Sequence, residues 1–341
     1  MMNCRKVSVV CPIYNEERYI GKFIDSVLAQ DYPSDKLEIL LIDGMSTDGT
    51  RNLINRYAVE NDNIIFADNP EKVVPNALNK GIRLSDGDVI VRLDAHCTYP
   101  VNYISRLVSQ LDSLDADNVG GVWNTLPAKN TAECIAIAVA SSHPFGVGAS
   151  VHKIGSDRVR KVDTVPFGCY RRSVFERIGF FDEELVRNQD DEFNARLIKN
   201  GGSIYIIPDV IIDYTARESM GKMRKMYYQY GLFKPLVNKK IGLPASMRQF
   251  IPVIFVIGLV LGAVLSFFCE IVALIYMTVW LLYIIIGLYV GMKSYIEYRK
   301  LSLLWYLPYT FLNIHLSYGI GFLTGIYKLL LHKRINIKSN R

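Results

Sequence analysis

A chain of 341 residues with 50% hydrophobic content and a mean hydropathy of +0.16 is too long for one ordinary core and too apolar to be wholly soluble. Its net charge of +6 is modest, and the basic residues thicken near the most apolar segments, so anionic lipid is the expected partner rather than nucleic acid. The six cysteines show no C-x-x-C spacing, which excludes a zinc site or disulfide framework and suits a reducing compartment.

The N-terminal run is only strand length and stops at Pro12, so it reads as a strand rather than a secretory signal, and a cytoplasmic soluble domain is expected. Asn15 is expected to cap a helix carrying Ile20, Phe23, Ile24, Val27 and Leu28 at helical spacing. A second strand follows at residues 37–42 and ends in D-G-M-S-T-D-G-T. Leu53, Ile54, Tyr57 and Ala58 then mark a second helix. Residues 64–66 predict a third strand, 76–84 a third helix and 89–93 a fourth strand. Strands alternating with helices imply an α/β fold with a parallel sheet, whose ligands sit beyond the carboxyl ends of the strands. The loops at residues 12–16, 43–49 and 94–98 therefore converge on one edge.

At that edge D-V-I-V-R-L-D-A-H-C joins a strand to a carboxylate and an imidazole two positions apart. If the extended geometry continues, Asp94 and His96 point the same way and grip one ligand. The same residues also suit a strand followed by a polar turn. Further on, residues 119–125 read as a strand and a mostly apolar helix reaches Ala140. The glycine-rich S-S-H-P-F-G-V-G-A-S comes next, with His143 open to a direct or a merely structural role.

Met220, Met223, Tyr227 and Tyr230 form one helical stripe with Lys222 and Lys225 turned away. A basic amphipathic helix at a membrane surface is the expectation for 217–249, with packing against the N-terminal domain as the alternative. Residues 250–269 and 271–292 carry no charge and are each long enough to cross roughly 30 Å of hydrocarbon. A third span is expected at 303–327, weakened by Pro308, Asn313 and His315, before a basic tail at 332–341.

V-S-V-V-C-P-I-Y-N-E-E, L-L-I-D-G-M-S-T-D-G-T, V-I-V-R-L-D-A-H and Q-D-D-E-F-N-A-R-L resemble, in order, the motifs of family 2 glycosyltransferases over about residues 5–240. D-A-H-C and the C-terminal spans look most like the membrane-anchored enzymes of the succinoglycan type. The resemblance implies a GT-A, Rossmann-like catalytic domain over 1–216 and a membrane region of about three helices over 250–331. It also implies a multi-pass inner-membrane location. The activity implied is inverting transfer of one sugar from a UDP- or GDP-sugar to a polyprenyl-linked acceptor.

In that likeness Pro12, Ile13, Tyr14, Glu16 and Asp43 meet the nucleotide, with Asp94 and Ala95 beside them. The ordinary alternatives are a helix-dipole residue for Glu16 and a turn-former for Asp43. Asp94 matches the first carboxylate of a D-x-D metal motif, and His96 replaces the second. An imidazole suits Mn²⁺ better than Mg²⁺, so either cation is expected with a lean to manganese. Phe167, Gly168, Arg171 and Arg172 match the acceptor side, and both arginines could meet phosphate. Asp190 falls on the catalytic Asp, with Asp191 as the fallback. The Q-x-x-R-W of processive members is missing, which implies a single addition.

Overall fold

The computed structural model describes residues 4–244, 246–333 and 335. The chain forms two units. Among the described residues, one comprises the N-terminal part up to Asn124 and Gly155–Tyr214; the other comprises Thr125–Ile154 and the chain from Thr215 to residue 335. One boundary near residue 216 was the expectation, but the chain enters the second unit twice.

The first unit runs β1 (Val7–Ile13), α1 (Ile20–Leu28), β2 (Leu37–Asp43), α2 (Thr50–Glu60), β3 (Ile64–Asp68), α3 (Val74–Leu84), β4 (Val89–Arg92), β5 (Cys97–Thr98) and α4 (Tyr103–Ser113). β6 (Asn118–Leu126) leads into three helices of the second unit, α5 (Ala132–Ser142), α6 (Pro144–Val147) and α7 (Val151–Ile154). The first unit resumes with β7 (Arg160–Lys161), β8 (Cys169–Arg171), α8 (Arg172–Ile178), α9 (Gln189–Lys199) and β9 (Ile204–Thr215).

These strands make one sheet in the order β3-β2-β1-β4-β8-β6-β9-β5, with β7 paired to β9. The β-branched runs of β1, β2 and β4 are almost wholly buried, as parallel strands covered on both faces must be. β3, β2, β1 and β4 are mutually parallel, whereas β8 is antiparallel to both β4 and β6. The register sets Ile13 beside Asp43, Asp43 beside Asp68 and Val10 beside Arg92. The strand ends that carry the motifs therefore share one edge, as the alternating pattern implied.

α1 buries Ile20, Phe23, Ile24 and Val27. Asn15 does not cap it: the helix begins at Ile20, and Asn15 adopts a left-handed φ of 54° within the preceding loop.

The second unit adds α10 (Met220–Ile241), α11 (Ile251–Leu265), α12 (Glu270–Tyr298) and α13 (Leu303–Leu330). α5, α10, α11 and α12 all pack on α13. α5 is apolar nearly all round and buries Ile135, Ala136, Ile137 and Ala138, which is why this excursion joins the helical unit. Glycines permit the closest crossings: a Cβ on Gly231 of α10 would run into the Tyr318 carbonyl, and one on Gly321 of α13 into the Tyr228 carbonyl. Gly287 and Gly291 of α12 let Pro308 and Leu304 approach in the same way.

His315 adds a polar tie within this unit. Its Nε2 lies 2.8 Å from the Phe145 carbonyl, which can only accept, so Nδ1 accepts from the Tyr283 hydroxyl at 2.8 Å.

Met220, Met223 and Tyr227 are buried, so the stripe on α10 is taken up by protein and is not offered to a membrane surface as expected. Lys222, Arg224 and Lys225 stay exposed. Among the described residues two helical segments are long and apolar enough to cross a membrane, Met247–Leu265 and Glu270–Tyr298, with mean hydropathies of 2.2 and 2.5. α13, the expected third span, is one continuous helix through Pro308 but does not reach that apolarity. Of the expected tail at 332–341, only residues 332, 333 and 335 are described, so that expectation lies largely outside the described residues.

Candidate active site

The loops after β1 and β2 are stapled together. The Asn15 N–H donates to Ser46 Oγ at 2.8 Å, the Thr47 N–H donates to Asn15 Oδ1 at 2.8 Å, and the Glu16 N–H donates to Thr50 Oγ1 at 2.8 Å. Gly44 donates its N–H to the Ile13 carbonyl at 2.7 Å, and a Cβ there would lie 3.4 Å from the Tyr14 ring. Tyr14 and Pro12 are half-buried and Ile13 is buried. Asp43 stands at the end of β2 with no exposed surface. Its carboxylate accepts from the Ser46 N–H and hydroxyl and from Arg51, at 2.5 Å, while Arg51 also reaches Asp68 at 2.8 Å. Asp43 thus organises the loop around it, a role the turn-former reading comes closest to.

β4 ends at Arg92, and the extended geometry does not continue. The Cys97 N–H donates to the Asp94 carbonyl at 3.2 Å, closing a turn over Asp94, Ala95 and His96. The premise that alternation aims Asp94 and His96 alike is therefore corrected, because a turn breaks the two-residue period. The Asp94 N–H is held by the Tyr99 hydroxyl at 2.9 Å, and Ala95 is buried beneath. His96 turns towards the first loop, where its Nδ1 lies 3.5 Å from Glu16 Oε1.

Asp94 finds a different partner, and sequence reasoning missed it. Arg92, whose side chain is 8% exposed, spreads its fork between two carboxylates: Nη1 lies 2.6 Å from Asp190 and Nη2 lies 3.3 Å from Asp94. Its guanidinium also sits 5.4 Å from the centroid of the Phe167 ring. An arginine inside a buried apolar strand is tolerated only when paired, so V-I-V-R-L-D carried a signal. Although burial works against the charge, Asp190 and Asp94 hold the guanidinium above its ordinary value.

Asp190 projects from the first turn of α9, whose cap residue Asn188 has a left-handed φ of 61°. Burial pushes its carboxyl up, to about 6; Arg92 works against that shift, while Asp94 and Asp191 reinforce it. Its second oxygen, Oδ1, is buried without a hydrogen-bond partner among the described residues. A carboxylate of this kind is suited to accept a proton near neutral pH. Asp191, the fallback, is half-buried one position on.

Phe167, with a left-handed φ of 48°, and Gly168, whose carbonyl accepts the Arg92 N–H at 3.0 Å, flank this group. Trp123 stacks on Tyr214 at 4.1 Å, and Trp123 and Phe167 are 5.7 Å apart, an aromatic layer that sequence reasoning also missed.

Arg171 and Arg172 are not available to a phosphate at this site. Arg171 donates to the Ala116 and Leu111 carbonyls and pairs with Asp112, and Arg172 donates to the Gly87 carbonyl and Ser85 Oγ. His143, in the second unit, accepts the Phe145 N–H on Nδ1 at 3.1 Å and so caps α6, a structural role.

Among the described residues no three His, Cys, Asp or Glu side chains stand ready to hold a metal ion. One carboxylate and one imidazole do, however, suit a cation that takes its other ligands from a diphosphate and water. Two aspartates sharing one guanidinium also leave net negative charge there. Glu16, facing Nδ1, is placed where a carboxylate orients a metal-binding imidazole.

Residues 8–179 match the model of glycosyl transferase family 2. The chain is 30% identical over 242 residues to a dolichyl N-acetyl-alpha-D-glucosaminyl phosphate 3-beta-D-2,3-diacetamido-2,3-dideoxy-beta-D-glucuronosyltransferase of Methanococcus voltae, covering 69% of this chain and 74% of that one. It is 29% identical to the succinoglycan biosynthesis protein ExoA of Rhizobium meliloti, over 76% of this chain and 77% of its relative. Its fold matches a mannosyltransferase of Pyrobaculum calidifontis, solved with GDP-Man and Mn²⁺, with a TM-score of 0.56 at 20% identity, over 93% and 88% of the two chains.

Proposed function

Because the chain belongs to glycosyl transferase family 2 and is a glycosyltransferase of the GT-A fold, we propose that it moves one sugar, with inversion, from a nucleoside-diphosphate sugar to a lipid-linked acceptor hydroxyl. The observation that carries this reading is the bridge Asp190–Arg92–Asp94, which sets a proton-accepting carboxylate one guanidinium away from the donor-side carboxylate.

In this reading the base and ribose of a UDP- or GDP-sugar lie against Pro12, Ile13, Tyr14, Glu16 and the loop that Asp43 organises. The diphosphate reaches the Asp94–His96 turn. Asp190 takes the proton of the acceptor hydroxyl as its oxygen bonds to the anomeric carbon. The bond from that carbon to the diphosphate oxygen breaks, and the nucleoside diphosphate departs with the electron pair. Asp94 and His96 are the residues that would hold Mn²⁺ or Mg²⁺. Such a cation supplies countercharge for the departing diphosphate. Attack from the face opposite the leaving group gives inversion in one step.

The lipid acceptor is supported by the apolar segments Met247–Leu265 and Glu270–Tyr298 and by the dolichyl phosphate in the name of the Methanococcus relative. In this reading the two helices anchor the enzyme in the inner membrane as a multi-pass protein, with the catalytic unit in the cytoplasm. The succinoglycan relative supports a place in cell-surface polysaccharide assembly.

A second reading is direct transfer to a polyprenyl phosphate. That acceptor needs no deprotonation, so it leaves the raised carboxyl of Asp190 without a task. Membranes incubated with labelled UDP- and GDP-sugars separate the two. Label in an extended saccharide lipid supports the first, label in a simple sugar phospholipid the second. Donor binding without turnover would mark a silent scaffold.

A further inference from the structure

Arg92 has no place in the proton transfer just described, yet it is the best-connected side chain of the site. It rises from the last position of β4, its N–H is fixed by the Gly168 carbonyl, and Phe167 lies against its guanidinium. Its two terminal nitrogens go to different carboxylates on different elements, Asp94 in the turn after β4 and Asp190 at the start of α9. A planar guanidinium can serve both at once; an ammonium is a single point charge. No other cation is paired with Asp190 among the described residues.

We propose that Arg92 is a positioning residue that couples the two halves of the reaction, holding Asp190 in line for the acceptor while tying it to the donor-side carboxylate Asp94. The proposal rests on Asp190 being the base. When a donor engages Asp94, the weaker of the two contacts, at 3.3 Å against 2.6 Å, is the one that yields. The guanidinium is then left to Asp190 alone, so donor binding strengthens the hold on the base.

The test compares Arg92→Gln, Arg92→Lys, Asp190→Asn and the Arg92→Gln/Asp190→Asn pair in the full-length membrane enzyme, using the donor selected by the labelling screen. UDP with Mn²⁺ serves as the binding probe. Arg92→Gln should lower kcat by about 10²-fold, in the range of a lost general base, while the donor KM changes little. Arg92→Lys should recover part of that loss. In the Asp190→Asn background, Arg92→Gln should add almost nothing, as expected of residues acting as one unit.

UDP–Mn²⁺ should bind Arg92→Gln at least as tightly as it binds the wild type, because Asp94 is then released from its competitor. If Arg92→Gln fails to fold, Arg92→Lys carries the test, with lower kcat at unchanged UDP–Mn²⁺ affinity. Wild-type kcat in either variant, full additivity with Asp190→Asn, or weaker UDP–Mn²⁺ binding would overturn the proposal. Full transfer by Asp190→Asn would remove the base and this inference together, whereas loss in Asp190→Asn with wild-type kcat in Arg92→Gln removes only this inference.

Discussion

Glu16 Oε1 faces His96 Nδ1 at 3.5 Å, so the loop after β1 reaches the turn after β4 through a carboxylate–imidazole contact. Glu16 is buried, its backbone is pinned by Thr50, and His96 is 22% exposed, so the imidazole is oriented from the side of the first loop. This is the arrangement in which a carboxylate fixes the tautomer of a metal-binding histidine.

Metal dependence follows from that pair. Chelation should abolish transfer, and Mn²⁺ should restore it at least as well as Mg²⁺. Glu16→Gln should weaken Mn²⁺ binding in the presence of UDP by about 10–100-fold, read from the paramagnetic resonance of free Mn²⁺. Full activity in excess chelator would remove the metal from the mechanism.

The pH profile should show Asp190. Burial raises its carboxyl to about 6, and a base must be ionised to accept a proton. Activity is therefore complete above that value and lost as pH falls through it. A kcat/KM profile with an acid limb centred near 6 is expected, falling about tenfold per pH unit below it. A limb that is unchanged in Asp190→Asn would assign it to another group.

Arg172→Ala should damage the fold and spare the chemistry. The guanidinium spans from the start of α8 to the Gly87 carbonyl and Ser85 Oγ beside β4, so its loss leaves buried acceptors unpaired. A destabilisation of about 1–3 kcal/mol in thermal melting is expected, with donor and acceptor KM unchanged. A selective rise in acceptor KM would return Arg172 to the substrate.

Gly231→Leu should abolish assembly of the helical unit. A Cβ there collides with the Tyr318 carbonyl, and backbone cannot swing aside as a flexible side chain can. Loss of folded protein in detergent is expected, measured by size-exclusion chromatography. A monodisperse, active variant would show that α10 and α13 can separate without penalty.

Much of the fold was legible in the sequence, because β-branched runs and helical spacing mark β1 to β4 and the helices between them without ambiguity. The site was legible where loops follow strand ends, as at Asp43 and Asp94. Side-chain direction was not. Arg171 and Arg172 are consecutive, so one motif sends them to different partners, Asp112 and Ser85, and neither reaches the site. Arg92 escaped notice because a charge within V-I-V-R-L-D reads as an interruption of a core strand, although it needed a buried partner. α5 looked like part of the catalytic domain because its sequence position lies there. Its all-round apolar surface was the sign that it needed another layer of helices.

The most direct measurement is donor binding and single-turnover transfer by Asp190→Asn in native membranes. UDP–Mn²⁺ affinity should fall by no more than about a few-fold, because Asp94, His96 and the first two loops are untouched and only the sharing of Arg92 changes, while the transfer rate should fall by about 10²–10⁴-fold. Transfer at the wild-type rate with that carboxylate removed would contradict the assignment of Asp190 as the base.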